Sequence, residues 1–263
     1  MEFSGSLVNK GFTIAVSGKG GVGKTGLSAL LIRCLSRKGY VLAIDADPDS
    51  NLPHALGMTV RKSVGDIRET IMHAPARSPE AANKGGAFQT ALHEIVEEGD
   101  NNIDLLVMGR PEGEGCYCPV NNILRQVIDA KANSYDFTVI DCEAGLEHLS
   151  RRTTRDVDLM IAVSDATWNG LLTAKRVKDL AKELVVNFSE VMLIANKVTD
   201  ETRPGLERMV QENGLEITAY VPYDPQIALA DALGKPIIEL PEDSPASIAV
   251  VQVCEKISER ATR

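Results

Sequence analysis

Residues 18 to 25 read GKGGVGKT, directly after the apolar run FTIAV and directly before a stretch that patterns as a helix. This satisfies G-x-x-x-x-G-K-S/T in the strand–loop–helix context that the motif needs. The glycines let successive backbone N–H groups turn inward toward phosphate oxygens, and the start of the helix adds its partial positive charge. Residues Gly20, Gly21, Val22, Gly23, Lys24, Thr25 and Gly26 are therefore expected to cradle a nucleoside triphosphate. Lys24 would sit over the β- and γ-phosphates, and the Thr25 hydroxyl would ligate Mg2+. Lys19 occupies a position where the motif needs no lysine. It either turns to solvent or neutralises developing phosphate charge, including that of a neighbouring subunit.

Two further segments carry carboxylates at the ends of apolar runs, IDADPDSN at Ile44–Asn51 and VIDCEAG at Val139–Gly145. In parallel sheets the residues that meet a ligand collect at the carboxyl ends of strands. Asp141 is placed to serve Mg2+ through water, with a capping role as the alternative, and Gly145 would let its loop approach the γ-phosphate. Asp47, further into solvent than Asp45, could orient a water or hold the metal's shell, with Asp49 in support; an Asp-Pro turn with solvated carboxylates is the alternative. Asn196-Lys197 follows VMLIA, and an Asn amide both donates and accepts, as recognition of an adenine edge requires. A plain strand exit fits the same pair. Pro222, Tyr223 and Asp224 could border the base, or simply form a tight connection.

Of five cysteines, Cys34 and Cys254 fall within apolar helical patterns and read as core. Cys116-Tyr-Cys118 differs, because in an extended segment both thiols point to one side. Two thiolates do not complete a tetrahedral shell, but a symmetric dimer supplies two more, giving a sulfur site suited to Zn2+ or another soft-compatible ion. The pair could also have no metal role. Cys142 and His148 read as interior or gating residues, with transient ligation as the alternative. Glu112 and Glu114 could draw cations to the loop; the alternative is that Gly113 and Gly115 simply make it flexible.

These residues need a scaffold, and the chain supplies its grammar. Short β-rich runs alternate with helical patterns, as in right-handed βαβ units around a parallel sheet. Expected strands are 12–16, 40–45, 103–108, 137–141, 159–163, 191–195 and 217–221. Expected helices are 24–38, 120–131, 171–185, 204–212, 224–233 and 246–260, with Gly39 stopping the first. The expectation is one doubly wound α/β domain over residues 1–263, with about seven or eight mostly parallel strands. Residues 59–100, with Pro75, Pro79 and Gly85-Gly86, form an irregular helical excursion. With 263 residues, 44% hydrophobic and only 4% aromatic, the core must be aliphatic. A net charge of −9 without a basic stripe argues against nucleic acid as partner. The sequence lacks a secretory start and any apolar run of about 18 residues, so it is read as cytoplasmic, with no integral membrane segment and reduced thiols.

GKGGVGKT, DADPDSN, VIDCEAG and the later NK pair together resemble the deviant Walker A ATPases, the class of the nitrogenase iron protein, MinD and ParA, over nearly the entire chain. The resemblance implies ATP hydrolysis to ADP and phosphate in a homodimer closed around two nucleotides. Lys19 would then reach across the interface, Asp47 and Asp141 would be the switch aspartates, and Asn196, Lys197 and Pro222 would flank the base. Many members carry a second hydroxyl after the Mg2+ ligand where this chain has Gly26, which implies a missing contact to the α-phosphate. MGRPEGEGCYCPVNN (Met108–Asn122) with DCEAGLEH looks like the CooC-type ATPases that assist nickel insertion into carbon monoxide dehydrogenase, or their relatives serving acetyl-CoA synthase. That subfamily implies Ni2+ at a Cys116/Cys118 site split between subunits, and a nickel-enzyme apoprotein as partner. An ATP-dependent iron–sulfur reductase and a partition or positioning ATPase are the alternatives. The polar C-terminal end KISERATR offers little apolar surface for a membrane-binding helix.

Overall fold

The structure is a computed structural model that describes residues 11–72, 95–110, 134–143, 156–183 and 187–262. Eight strands form one sheet: β1 (Phe12–Gly18), β2 (Val41–Ala46), β3 (Glu97–Glu98), β4 (Ile103–Val107), β5 (Phe137–Cys142), β6 (Asp156–Asp165), β7 (Asn187–Val198) and β8 (Ala219–Pro222). Their order is β3-β4-β2-β5-β1-β6-β7-β8. Every pairing is parallel except that of β3, a two-residue antiparallel edge. A run as short and acidic as Glu97-Glu98 carries no strand pattern, which is why the sequence shows seven strands and the sheet eight.

The described helices are α1 (Lys24–Ser36), α2 (Leu52–Leu56), α3 (Val64–Met72), α4 (Trp168–Glu183), α5 (Arg203–Glu212), α6 (Pro225–Ala232) and α7 (Pro245–Ala261), with a 3-10 turn at Ile237–Glu239. The expected helix over 120–131 lies outside the described residues, as do positions 73–94 of the excursion, whose opening part contains α3. Helices cover both faces of the sheet, so its central strands alternate between two apolar cores. Ile14, Val16, Val41 and Ala43 face α1, α2 and α7. Ala15, Leu42, Ile44 and Ile140 face α3 and α4.

Local chemistry fixes the element ends. Asp224 caps α6 by accepting from the Gln226 amide, and its second carboxylate oxygen accepts from Ala246 at the start of α7. Ser244 caps α7 through the Ser247 amide. Arg33 of α1 donates to the Ile238 and Leu240 carbonyls and to the Ser247 hydroxyl, tying the 3-10 turn and α7 to α1. Gly39 follows α1 as expected, but for a different reason: a Cβ there would lie 2.4 Å from the Asp136 carboxylate, which accepts from the Tyr40 amide. Among the described residues, no helix is long and apolar enough to cross a membrane.

Candidate functional site

The carboxyl edge of the sheet gathers the end of β1, the P-loop, the start of α1, and the ends of β2, β5 and β7. Strand register does much of this. Val16 of β1 is paired with Asp141 of β5, and Asp141 in turn with Asp45 of β2, which places both carboxylates level with the root of the P-loop.

Lys24 opens α1 and is almost fully buried, its ammonium 3.5 Å from the Lys19 carbonyl oxygen. The Thr25 hydroxyl donates to Asp141 Oδ2 at 2.7 Å, and the Ser28 hydroxyl donates to Oδ1 at 3.0 Å. Ser28 escaped the motif reading, although its signal was present: it lies three residues after Thr25 and so on the same face of α1. Burial pushes the Asp141 carboxyl up to about 6, against the opposing pull of the two hydroxyls and of Lys24. A carboxylate held by two hydroxyls beside a lysine at a helix N-terminus is a donor set that fits a hard, oxygen-seeking cation. Lys19 is exposed at the tip of the loop.

Asp45 is fully buried and organises the loop that follows β2. Its carboxylate accepts from the Asp47 amide at 3.0 Å and from the Leu52 amide at 2.9 Å, while its main-chain oxygen accepts from the Met108 amide. Burial, with Asp141 adding like charge, raises its carboxyl to about 7 although both amides oppose this. Asp47 is half-buried and accepts from the Asp49 amide; Asp49 is exposed and pairs with Arg110 at the exit of β4.

On the other side of the P-loop, Asn196 and Lys197 are not at a strand exit. They form a bulge inside β7, where the register with β8 shifts between Ala195 and Val198 and Lys197 adopts φ 57°. The bulge turns both side chains back onto the loop. The Asn196 amide nitrogen donates to the Val22 carbonyl at 2.9 Å, its oxygen accepts from the Lys197 amide, and the Lys197 ammonium reaches the Gly21 carbonyl at 2.8 Å. Gly23 must be glycine here, with φ 89° and an added Cβ only 2.6 Å from the Asn196 nitrogen. Beside this brace lies a cavity of about 290 Å³, whose lining includes Gly26, Asn196, Pro222, Tyr223, Asp224 and Ile237. Asn196 retains one N–H and one lone pair for a ligand there.

Residues 13–237 match the family model of the CobQ/CobB/MinD/ParA nucleotide-binding domain. The chain belongs to this family. Within the CobQ/CobB/MinD/ParA family it is 51% identical to an uncharacterized ATP-binding protein of Methanocaldococcus jannaschii, over 93% of this chain and 97% of that one. It is 33% identical to the carbon monoxide dehydrogenase accessory protein CooC of Rhodospirillum rubrum, over 84% of this chain and 87% of the relative. The septum site-determining protein MinD of Pyrococcus horikoshii, solved with Mg-ADP, shares its fold, with a TM-score of 0.72 over 95% of this chain and 97% of that one at 22% identity. A P-loop ATPase domain of this family binds and hydrolyses ATP, as the motif led one to expect.

The cysteine readings divide. Cys142 is interior: it is buried in β5, its thiol faces the Ile140 carbonyl oxygen, and burial pushes it well above the ordinary thiol range. A thiol so placed suits neither transient ligation nor a cluster shared between subunits. Cys116, Cys118, Glu112, Glu114, Gly145 and His148 lie outside the described residues. Among the described residues no group of three or more His, Cys, Asp or Glu side chains could hold a metal ion.

Proposed function

We propose that the chain is an ATP-driven homodimeric switch that serves assembly of a metal centre, loading nickel into a carbon monoxide dehydrogenase or acetyl-CoA synthase apoprotein. The observation that carries the subfamily is the 33% identity to CooC along most of both chains. The Cys116-Tyr-Cys118 loop supports it, since it supplies half of a soft-metal site that a second subunit would complete.

In the proposed mechanism, the backbone of Gly20–Gly26 and the Lys24 ammonium hold the β- and γ-phosphates. The residues that would hold Mg2+ are Thr25 and, through water, Asp141; bound there, the ion spreads the charge that develops on the transferring phosphoryl group. Asp47 positions the attacking water rather than acting as a strong base. Lys19, exposed at the loop tip, adds its charge to the γ-phosphate of the partner's nucleotide. Asn196 and Lys197 keep the P-loop in its binding shape, and Asn196 with Pro222 borders the adenine. Hydrolysis removes the charge that Lys19 bridges, so the dimer loosens and the split cysteine site with it. Nickel is the cargo of this cycle; Zn2+ has the same claim on four thiolates by coordination chemistry alone.

A positioning or partition ATPase is the second reading, favoured by a family that includes MinD and ParA. The helix α7 is not free to lie in a membrane surface, because it is docked on the core and its final turn is tied by Arg260 to Glu190. Size-exclusion chromatography with light scattering and inline metal analysis separates the readings, comparing wild type with Cys116→Ala/Cys118→Ala in ADP or ATP with Ni2+. A dimer carrying about one Ni2+, absent from the variant and altered by nucleotide, is expected. Nucleotide-driven dimers without cysteine-dependent nickel, with ATPase stimulated by DNA or anionic vesicles, would move the assignment to positioning.

A further inference from the structure

Beside the base cavity stands the 3-10 turn Ile237–Glu239, and its two ends are held differently. The downstream end is fixed to α1, because Arg33 donates to the Ile238 and Leu240 carbonyls. The front end bears on two neighbours. Ile237 lines the cavity and lies over Gly26, where a Cβ would meet its Cδ1 at 3.5 Å. Pro236, which caps the turn, lies against the end of α2: a Cβ on Gly57, at φ 66°, would come within 2.9 Å of its Cγ. Helix α2 leads back to the loop that carries Asp47. Its first amide, Leu52, donates to Asp45 Oδ2, and the Asp47 amide donates to Oδ1 of the same buried carboxylate. Leu52, Ala55 and Leu56 are buried in the core beneath, so α2 is a short packed piece rather than a free loop. Close-packed elements of this kind pass a displacement on instead of absorbing it.

We infer that Pro236 and Ile237 form a base sensor. Adenine in the cavity sets Ile237, and Pro236 carries that setting through Gly57 and α2 to the Asp47 loop, so the γ-phosphate is attacked at full rate only when the base is in place. Pro236 and Gly57 are positioning residues in this scheme, since neither lines the nucleotide cavity. Binding energy from the base, remote from the reacting phosphorus, is thereby used to align the attacking water and not only to hold the nucleotide. A phosphate chain without a base then occupies the P-loop but turns over slowly. The inference rests on the proposed places of adenine beside Asn196 and Pro222 and of the water beside Asp47; it is independent of the cargo assigned to Cys116 and Cys118.

The test compares ATP with inorganic tripolyphosphate by steady-state phosphate release from full-length protein. Wild type is expected to turn over tripolyphosphate with a kcat about tenfold below that for ATP. Gly57→Ala, whose methyl displaces Pro236, should lower kcat for ATP to that level while tripolyphosphate turnover stays within about twofold. Pro236→Ala, which removes the contact without an overlap, should do the same. The double variant should recover most of the ATP rate, because the methyl added at position 57 lies 3.3 Å from the Cβ at position 236 and takes the place of the ring. Calorimetry with MgADP and magnesium pyrophosphate shows that the variants are folded and reports on the base itself: Ile237→Ala should weaken the first ligand and not the second. Equal kcat for the two substrates in wild type, or a response to both single variants that does not distinguish the substrates, would overturn the inference and leave the base cavity standing. Equal affinity of wild type for MgADP and magnesium pyrophosphate would instead remove the base from the cavity, and the sensor with it.

Discussion

Gly23 and Asn196 are 173 positions apart in the chain, and the structure makes them one unit, which a double-mutant cycle can measure. Gly23→Ala places a Cβ on a backbone at φ 89° and 2.6 Å from the Asn196 nitrogen. The left-handed backbone costs roughly 1–2 kcal/mol and the overlap about 1–3 kcal/mol, together about 3 kcal/mol. Asn196→Ala leaves the buried Val22 carbonyl and the Lys197 amide without their partner, a loss of about 2–3 kcal/mol. In the double variant the overlap term disappears because the atom it struck is gone. The pair should therefore be less destabilised than the sum of the singles, by about 1–2 kcal/mol, well outside the roughly 0.3–0.5 kcal/mol scatter of independent sites. Urea unfolding of nucleotide-free protein, followed by far-UV circular dichroism, gives all four corners. Additive losses would mean that the P-loop does not rest on the β7 bulge, and the account of Asn196 as its brace would fail.

Three other outcomes follow from the same geometry. The Asp45 carboxyl, raised from 3.8 to about 7, binds its proton more tightly in the folded chain than in the unfolded one. It therefore withdraws stability as pH rises from about 4 to 7, by on the order of 4 kcal/mol; the difference in unfolding free energy between wild type and Asp45→Asn should shrink or reverse toward neutral pH, and a pH-independent difference would contradict its burial. Gly26→Ser has room, since its Cβ would meet only Ile237 at 3.5 Å; it should gain about 0.5 kcal/mol from helix propensity and tighten MgADP binding about fivefold through a new α-phosphate hydrogen bond, measured by calorimetry. Asp141→Asn should lower kcat for phosphate release at least about a hundredfold with the circular dichroism spectrum unchanged, and retention of wild-type turnover would remove Asp141 from the reaction.

The sheet, its parallel sense and the P-loop could be read from the chain because each rests on local signals, namely aliphatic runs between helical patterns and glycines at fixed offsets. What stayed hidden depends on distant partners. Asn196-Lys197 looked like a strand exit because nothing in VMLIANKV marks a bulge; its cause is the pair of P-loop carbonyls that the two side chains reach. Ser28 was silent until β5 placed Asp141 beneath α1. Asp45 read as a lesser neighbour of Asp47, yet its buried carboxylate holds the Asp47 and Leu52 amides of the loop, a role that only burial reveals. Gly39 was expected as a helix stop and is required by the approach of Asp136.

The central position of β1 also constrains the order in which the protein can be made. The strand that carries the P-loop lies between β5 and β6, and the loop itself is closed by side chains from β7. A ribosome must therefore release about nine tenths of the chain before the nucleotide site has all its walls, Ile237 among them, whereas β1, α1 and β2 emerge within the first fifty residues with their sheet edges unpaired. ATP binding by the nascent chain thus reports that the whole sheet has closed, and the early segment is the one that has greatest need of a chaperone during synthesis.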